Sequence, residues 1–297
     1  MAVIATFRNK IAFQVTTASQ VIFRNGKLDL IAIMTILLFL SYAHTSWYVR
    51  IPISIIAGVA FIYSPLRTRA AFWLIITSIL IFGSYQRWYA IDNHKYLMTY
   101  WSLAIFCSLL TDDPEKSLAF NGRLLIGLSF LFAVFWKVTS LEFMDSTFFQ
   151  YALLVDDRFS GVATLLGNLS DNFIDINNNA RLTLMNYANS LKSVQLETTP
   201  RIRDLAIALT WWTILIETLI FIAFLLPVGK FISKWRDYFL IVFIVSTYLI
   251  APVIGFGWLL VVMGIAQSSD RSGRVQLLYI LSFLVLQIYR FPWGILF

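Results

Sequence analysis

Four ionisable side chains stand inside or at the edge of long apolar runs: His94, Arg123, Lys137 and Glu217. A charge at the middle of a membrane-crossing helix costs at least about 2.5–3.5 kcal/mol, so each is a candidate for function. Lys137 ends the run Leu131-Phe132-Ala133-Val134-Phe135-Trp136 and is capable of acting as a base; His94 opens another run within Ile91-Asp92-Asn93-His94-Lys95-Tyr96-Leu97. Glu217 falls near the middle of a third run, after Trp211-Trp212. Each also has a plain structural reading. A lysine at a helix end can snorkel to the headgroups, and a histidine beside Asp92 and Lys95 can be a solvated cap. Arg123 reads as a topology anchor. Glu217 can be a protonated acid hydrogen-bonded across a bundle.

The elements that must position these residues follow from hydropathy. The chain has 297 residues, 59% of them hydrophobic and 13% charged. Its mean hydropathy is +0.75. Soluble domains run at roughly 45–50% apolar and about 25% charged, and apolar runs of about 20 residues are long enough to span a bilayer as helix. A soluble enzyme, a disordered chain and a disulfide scaffold are excluded; the single Cys107 cannot form an intrachain disulfide. The +7 net charge reads as topology and attraction to anionic lipid rather than as a nucleic-acid footprint.

The expected fold is all-α: a polytopic transmembrane helix bundle of about eight spans, within a range of seven to nine, with a helical or loop cap on its outer face. Residues 1–27 read as an amphipathic cytoplasmic segment. Residues 28–139 hold spans one to five, near Leu28–Trp47, Ile51–Tyr63, Ala70–Tyr89, Tyr96–Leu110 and Leu118–Val138. Residues 140–203 mix Asp and Asn with Phe and Leu and read as an extracytoplasmic cap. Residues 204–297 hold spans six to eight, near Asp204–Leu226, Tyr238–Ala266 and Val275–Tyr289, the seventh kinked at Pro252. Sorting Lys and Arg by side puts both termini in the cytoplasm, with Arg67, Arg69, Lys116, Arg123, Lys230, Lys234, Arg236 and Arg290 inside and Arg50, Arg87, Lys95, Arg271 and Arg274 outside. On that topology His94 and Lys137 share one depth near the outer face. Segment 140–157, with Glu142 and Asp145, can close over them. With two histidines and no Cys/His cluster of zinc spacing, no metal site is expected. Asn168-Leu169-Ser170 fits the glycosylation sequon weakly.

These positions carry a resemblance. Asn93-His94-Lys95-Tyr96-Leu97 resembles the Asn-His-x-Tyr-Leu pattern of the vitamin K-dependent γ-glutamyl carboxylase and its bacterial relatives, which share the horizontally transferred transmembrane (HTTM) domain. Arg123–Lys137, followed by Glu142, Asp145 and Phe149-Gln150-Tyr151, is similar to that family's next span. Leu209–Leu226 with Glu217 looks like its acidic helix, and Ile254-Gly255-Phe256 like its Ile-Gly-rich penultimate span. DoxX-type membrane proteins share the looser parts.

The resemblance implies a quinol-dependent membrane enzyme, carboxylase-like or a lyase or oxidoreductase, or the membrane subunit of one. Lys137 would be the base and His94 its electrostatic partner. Tyr96, Tyr100, Trp136 and Glu217 would surround a quinol or quinone of vitamin K type. A lysine desolvated among aromatics suits the role of base, and a flat apolar quinol suits such walls. Expected partners are membrane lipids, other membrane subunits or a peptide substrate, since stand-alone relatives are associated with maturation of a secreted peptide toxin beside a second subunit. The alternative is a non-catalytic scaffold or assembly subunit of a larger membrane complex.

Overall fold

A computed structural model describes residues 26–43, 46–187, 193–268 and 273–288. The amphipathic segment expected over 1–27 falls almost wholly outside these residues, as do Arg271 and Arg290. Among the described residues there are thirteen α-helices and no strand, as the apolar runs demand.

Nine of these helices run alternately between two ends of one bundle: α1 (Lys27–Tyr42), α2 (Trp47–Ile62), α3 (Ala70–Gln86), α4 (Asn93–Ser108), α5 (Pro114–Thr139), α10 (Pro200–Leu225), α11 (Arg236–Ile250), α12 (Ile254–Gln267) and α13 (Gly273–Ile288). The near end is where α1 begins; the far end carries the cap. Two of the nine, α5 and α10, are long and apolar enough on their own to cross a membrane. At 26 residues each, they are about 39 Å long at 1.5 Å per residue. Both start with proline in the first turn, where the missing N–H would have had no helical partner. At α5 the side chain of Asp113 also accepts the backbone N–H of Lys116 at 3.1 Å.

The seventh expected span is where the structure departs from the sequence reading. Tyr238–Ala266 is two antiparallel helices rather than one kinked helix. Arg236, at the start of α11, hydrogen-bonds Gln267, at the end of α12. Pro252 lies in the turn between them, and a mid-run proline removes a backbone donor and clashes with the preceding turn. At 15 and 14 residues, the halves are too short for each to register as a span by hydropathy. With that hairpin nine helices run the length of the bundle, and Lys27 and Ile288 lie at opposite ends. Arg274, expected in an outer loop, begins α13 at the near end.

α12 is the hub. It packs on α1, α5, α11 and α13, and every residue from Gly257 to Gln267 is buried. Its glycines make that approach possible. A Cβ on Gly264 would lie 2.4 Å from Cε1 of Tyr279 on α13, so only glycine fits under that ring. Across α5, the aromatic core continues with Phe130 edge-on to Phe243 of α11, ring centroids 4.8 Å apart.

Several cations tie helices end to end. A helix leaves its last carbonyls without partners and carries partial negative charge there. Lys27 donates to the Ala266 carbonyl at 2.9 Å, and Lys95 donates to that of Tyr42. Arg67 reaches the carbonyls of Ala60 and Phe61 while pairing with Asp29 at 2.7 Å. Arg123 donates to Phe224 O at 2.7 Å and to Leu226 O, closing the end of α10.

The cap comprises α6 (Leu141–Met144), α7 (Thr147–Val155), α8 (Ser160–Leu165) and α9 (Phe173–Asn186). It has its own apolar core, in which Phe143, Leu153, Ala163 and Phe173 pack with Ile202, Ala206 and Leu209 of α10. Asn177 pins it: its amide donates to Leu154 O at 3.0 Å and Glu197 O at 3.1 Å, and its oxygen accepts from Glu197 N at 2.6 Å.

Candidate functional site

Lys137 and Glu217, 80 residues apart in sequence, meet on the seam between α5 and α10, where the Lys137 ammonium donates to Oε1 of Glu217. Helix geometry explains why. Side chains lean toward the N-terminus of their own helix, so a lysine in the last turn of α5 points back along the bundle rather than outward. That lean disfavours snorkelling and sends the amine toward the middle of α10. The same amine lies 5.3 Å from the centroid of the Phe143 ring, on the cap, within range of a cation–π contact.

The two ends of the pair differ in access. The Lys137 side chain is 21% exposed and that of Glu217 only 7%. Oε2 of Glu217 is buried with no hydrogen-bond partner among the described residues. A carboxylate normally has its oxygens satisfied when buried, and an orphan costs about 1–3 kcal/mol or more. Tyr248 of α11 is buried against the hub helix, where a Cβ on Gly257 would meet its ring at 2.8 Å. The seam thus holds an ammonium and a carboxylate with one free oxygen, with the Phe143 ring of the cap beside them. Such a set can accept a hydrogen bond from a donor hydroxyl and take its proton while the adjacent ammonium balances the charge.

The other residues singled out from the sequence are placed as follows. A hydrogen bond from Asn121 to Ser108 at 3.2 Å registers α4 against α5. From there His94 is about 21 Å and Lys137 about 24 Å toward the far end at 1.5 Å per residue, so the two share an end of the bundle. His94 is half-buried and makes no hydrogen bond to Lys137 or Glu217. The Tyr96 hydroxyl donates to Trp88 O at 2.6 Å. Tyr100 is 57% exposed and Trp136 69% exposed, so both face away from the seam. Of the six residues, the structure brings Lys137 and Glu217 into contact. Asp145, a nearby acid, instead accepts the backbone N–H of Thr147 at 2.9 Å, a bond that holds its carboxyl below the usual range. Asp156, also in the cap, is held low by its hydrogen bonds from Arg158. Among the described residues no group of three or more His, Cys, Asp or Glu is arranged to hold a metal ion.

A second polar centre escaped the sequence reading. At the near end Arg236 Nε donates to Gln267 Oε1 at 2.8 Å, Gln267 donates to Asp237, and the Tyr279 hydroxyl donates to Asp237 at 2.9 Å. All four residues are buried. Arg236 reads in the sequence as one more inner-face charge. The signal that could have singled it out is the adjacent opposite pair Arg236-Asp237 opening an apolar run, with Gln267 closing the next.

Compared with family models, with curated proteins and with solved structures, the chain matches none.

Proposed function

We propose that this chain is a multi-pass integral membrane protein with nine crossings, its near end cytoplasmic and its cap outside. Supporting the orientation, Arg274 adds to Arg67, Arg69, Lys116, Lys230 and Lys234 at the near end, which widens the Lys/Arg bias expected of an inner face. α12 is shorter than a bilayer core, but it is enclosed by other helices and need not meet lipid. We further propose that the Lys137–Glu217 seam is the working centre of a membrane enzyme, or of its membrane subunit, that binds a quinol-type molecule. A quinol hydroxyl would bond to the free Oε2 of Glu217 and pass its proton to that carboxylate, so that Glu217 takes the role of base expected of Lys137, while the Lys137 ammonium balances the charge left on the quinol oxygen. His94, at the same end, contributes charge stabilisation.

The observation that carries this reading is the buried Lys137–Glu217 pair with its one unpartnered carboxylate oxygen. The test is a thermal shift of purified protein on adding a short-chain naphthoquinol under reducing conditions. Wild type is expected to be stabilised. The variant K137M/E217L, which removes both charges together and so stays folded, is expected to lose the shift. A shift that survives in the double variant, or is absent from wild type, overturns the quinol assignment.

A second reading, a non-catalytic assembly subunit, is supported by a rim of exposed aromatics at the far end. Trp47 is 72% exposed, Tyr85 76%, Trp88 69% and Tyr89 78%. It requires stable co-purification with other membrane proteins; a chain that is monodisperse and alone in mild detergent counts against it.

A further inference from the structure

The connection between α10 and α11, residues 226–235, is anchored at both ends and carries exposed apolar and basic side chains. Its inward side is anchored: Ser233 is 1% exposed, and Arg236 and Asp237 behind it belong to the buried near-end network. Arg123 fixes the point where the chain leaves α10. Gly229, at φ +100°, supplies a left-handed turn that other residues adopt only with strain. With those positions held, the outward side presents Val228 at 70% exposure, Phe231 at 77% and Trp235 at 49%, interleaved with exposed Lys230 and Lys234. The Trp235 ring lies 5.6 Å from that of Tyr238, which fixes its direction.

Three apolar side chains exposed on one short connection are unfavourable in water unless something apolar receives them. Exposed lysines interleaved with them in the same short segment call for an anion at an apolar boundary. We infer that residues 228–235 bind the headgroup of an anionic phospholipid, with Phe231 and Trp235 seated at the acyl boundary and Lys230 and Lys234 on the phosphate. This inference rests on the proposed membrane location but not on the quinol reading.

The test uses the full chain in phosphatidylcholine nanodiscs with an increasing fraction of phosphatidylglycerol, followed by the midpoint of thermal unfolding. Wild type is expected to gain stability with the anionic lipid and saturate. Each lysine near an anionic surface contributes about 1 kcal/mol, so K230Q/K234Q is expected to need roughly 30-fold more phosphatidylglycerol for the same gain. R69Q/K116Q, which removes two charges from the same end, is expected to leave the response unchanged. F231S is expected to weaken the response with both lysines present. An equal loss in R69Q/K116Q would mean a diffuse charge effect and overturn the site, as would full saturation in K230Q/K234Q. Equal stabilisation by inorganic phosphate would overturn the lipid assignment. Failure of the chain to enter nanodiscs would instead overturn the membrane reading.

Discussion

Replacing Lys137 by methionine isolates the energetics of the seam. The substitution keeps most of the apolar stem and leaves Glu217, with its side chain 7% exposed, as a buried carboxylate without its counter-ion. Removing one partner of a buried pair typically costs about 3–5 kcal/mol. There is a ceiling on that loss, because the carboxyl can take up a proton instead. Against an ordinary glutamate value of about 4.3, protonation at pH 7 costs 1.36 × 2.7, or about 4 kcal/mol. Lys137 is 21% exposed, so water already screens part of the pair and the loss should fall in the lower half of that range. The pH dependence has a definite sign. Folded K137M binds a proton that its unfolded chain releases above about pH 4.3, so its stability falls as pH rises. The same arithmetic gives a deficit of about 1 kcal/mol at pH 5, growing toward its limit by pH 8. The assay is unfolding in detergent micelles, followed by tryptophan fluorescence at pH 5, 7 and 8. K137M/E217L should return to within about 1 kcal/mol of wild type, since an apolar pair can replace a buried ionic one. A K137M deficit that is flat between pH 5 and 8, or a double variant no better than K137M, would refute the reasoning.

Three further outcomes follow from the packing. Gly264→Ala sets a methyl 2.4 Å from the Tyr279 ring and should lower stability by about 1–3 kcal/mol in the same unfolding assay; a neutral result would mean that the ring moves freely. Arg123→Met orphans the Phe224 and Leu226 carbonyls and should cost about 1–3 kcal/mol. Arg123→Lys should recover only part of it, because one ammonium does not reproduce the guanidinium fork. Asn177→Ala breaks three hydrogen bonds that tie the cap together. It should speed hydrogen exchange across 147–186 with little change in α12, whereas a uniform increase would mean that cap and bundle open as one unit.

The helical class and most of the helix positions were legible because apolar runs separated by Pro, Asp and Asn leave few other folds. Lys137 and Glu217 were each legible as anomalies. Their pairing was not, because it depends on which faces of α5 and α10 meet, and a separation of 80 residues carries no register. The sequence pointed instead to His94 as the partner, since the two share an end of the bundle. Tyr100 and Trp136 show the same limit from the other side: aromatic type is readable in sequence, but helix face is set by packing. The α11–α12 hairpin was hidden because its halves are each too short to register as a span, so hydropathy merges them. The burial of Arg236 was not legible because a charge at the end of an apolar run has the same sequence signature whether it meets water or a buried glutamine.

The enclosure of α12 bears on how the chain reaches its final form. Lys27 and Ala266, joined by a hydrogen bond, are 239 residues apart, so the helix around which the others pack is made long after α1 and α5. Contacts this distant in sequence form slowly, because the intervening chain must first be brought together. Until α12 arrives, the faces of α1 and α5 that will hold it have no internal partner. The early helices therefore form a waiting shell rather than a nucleus. Nascent chains stopped after α11 should be the ones most often held by chaperones or cleared by proteases.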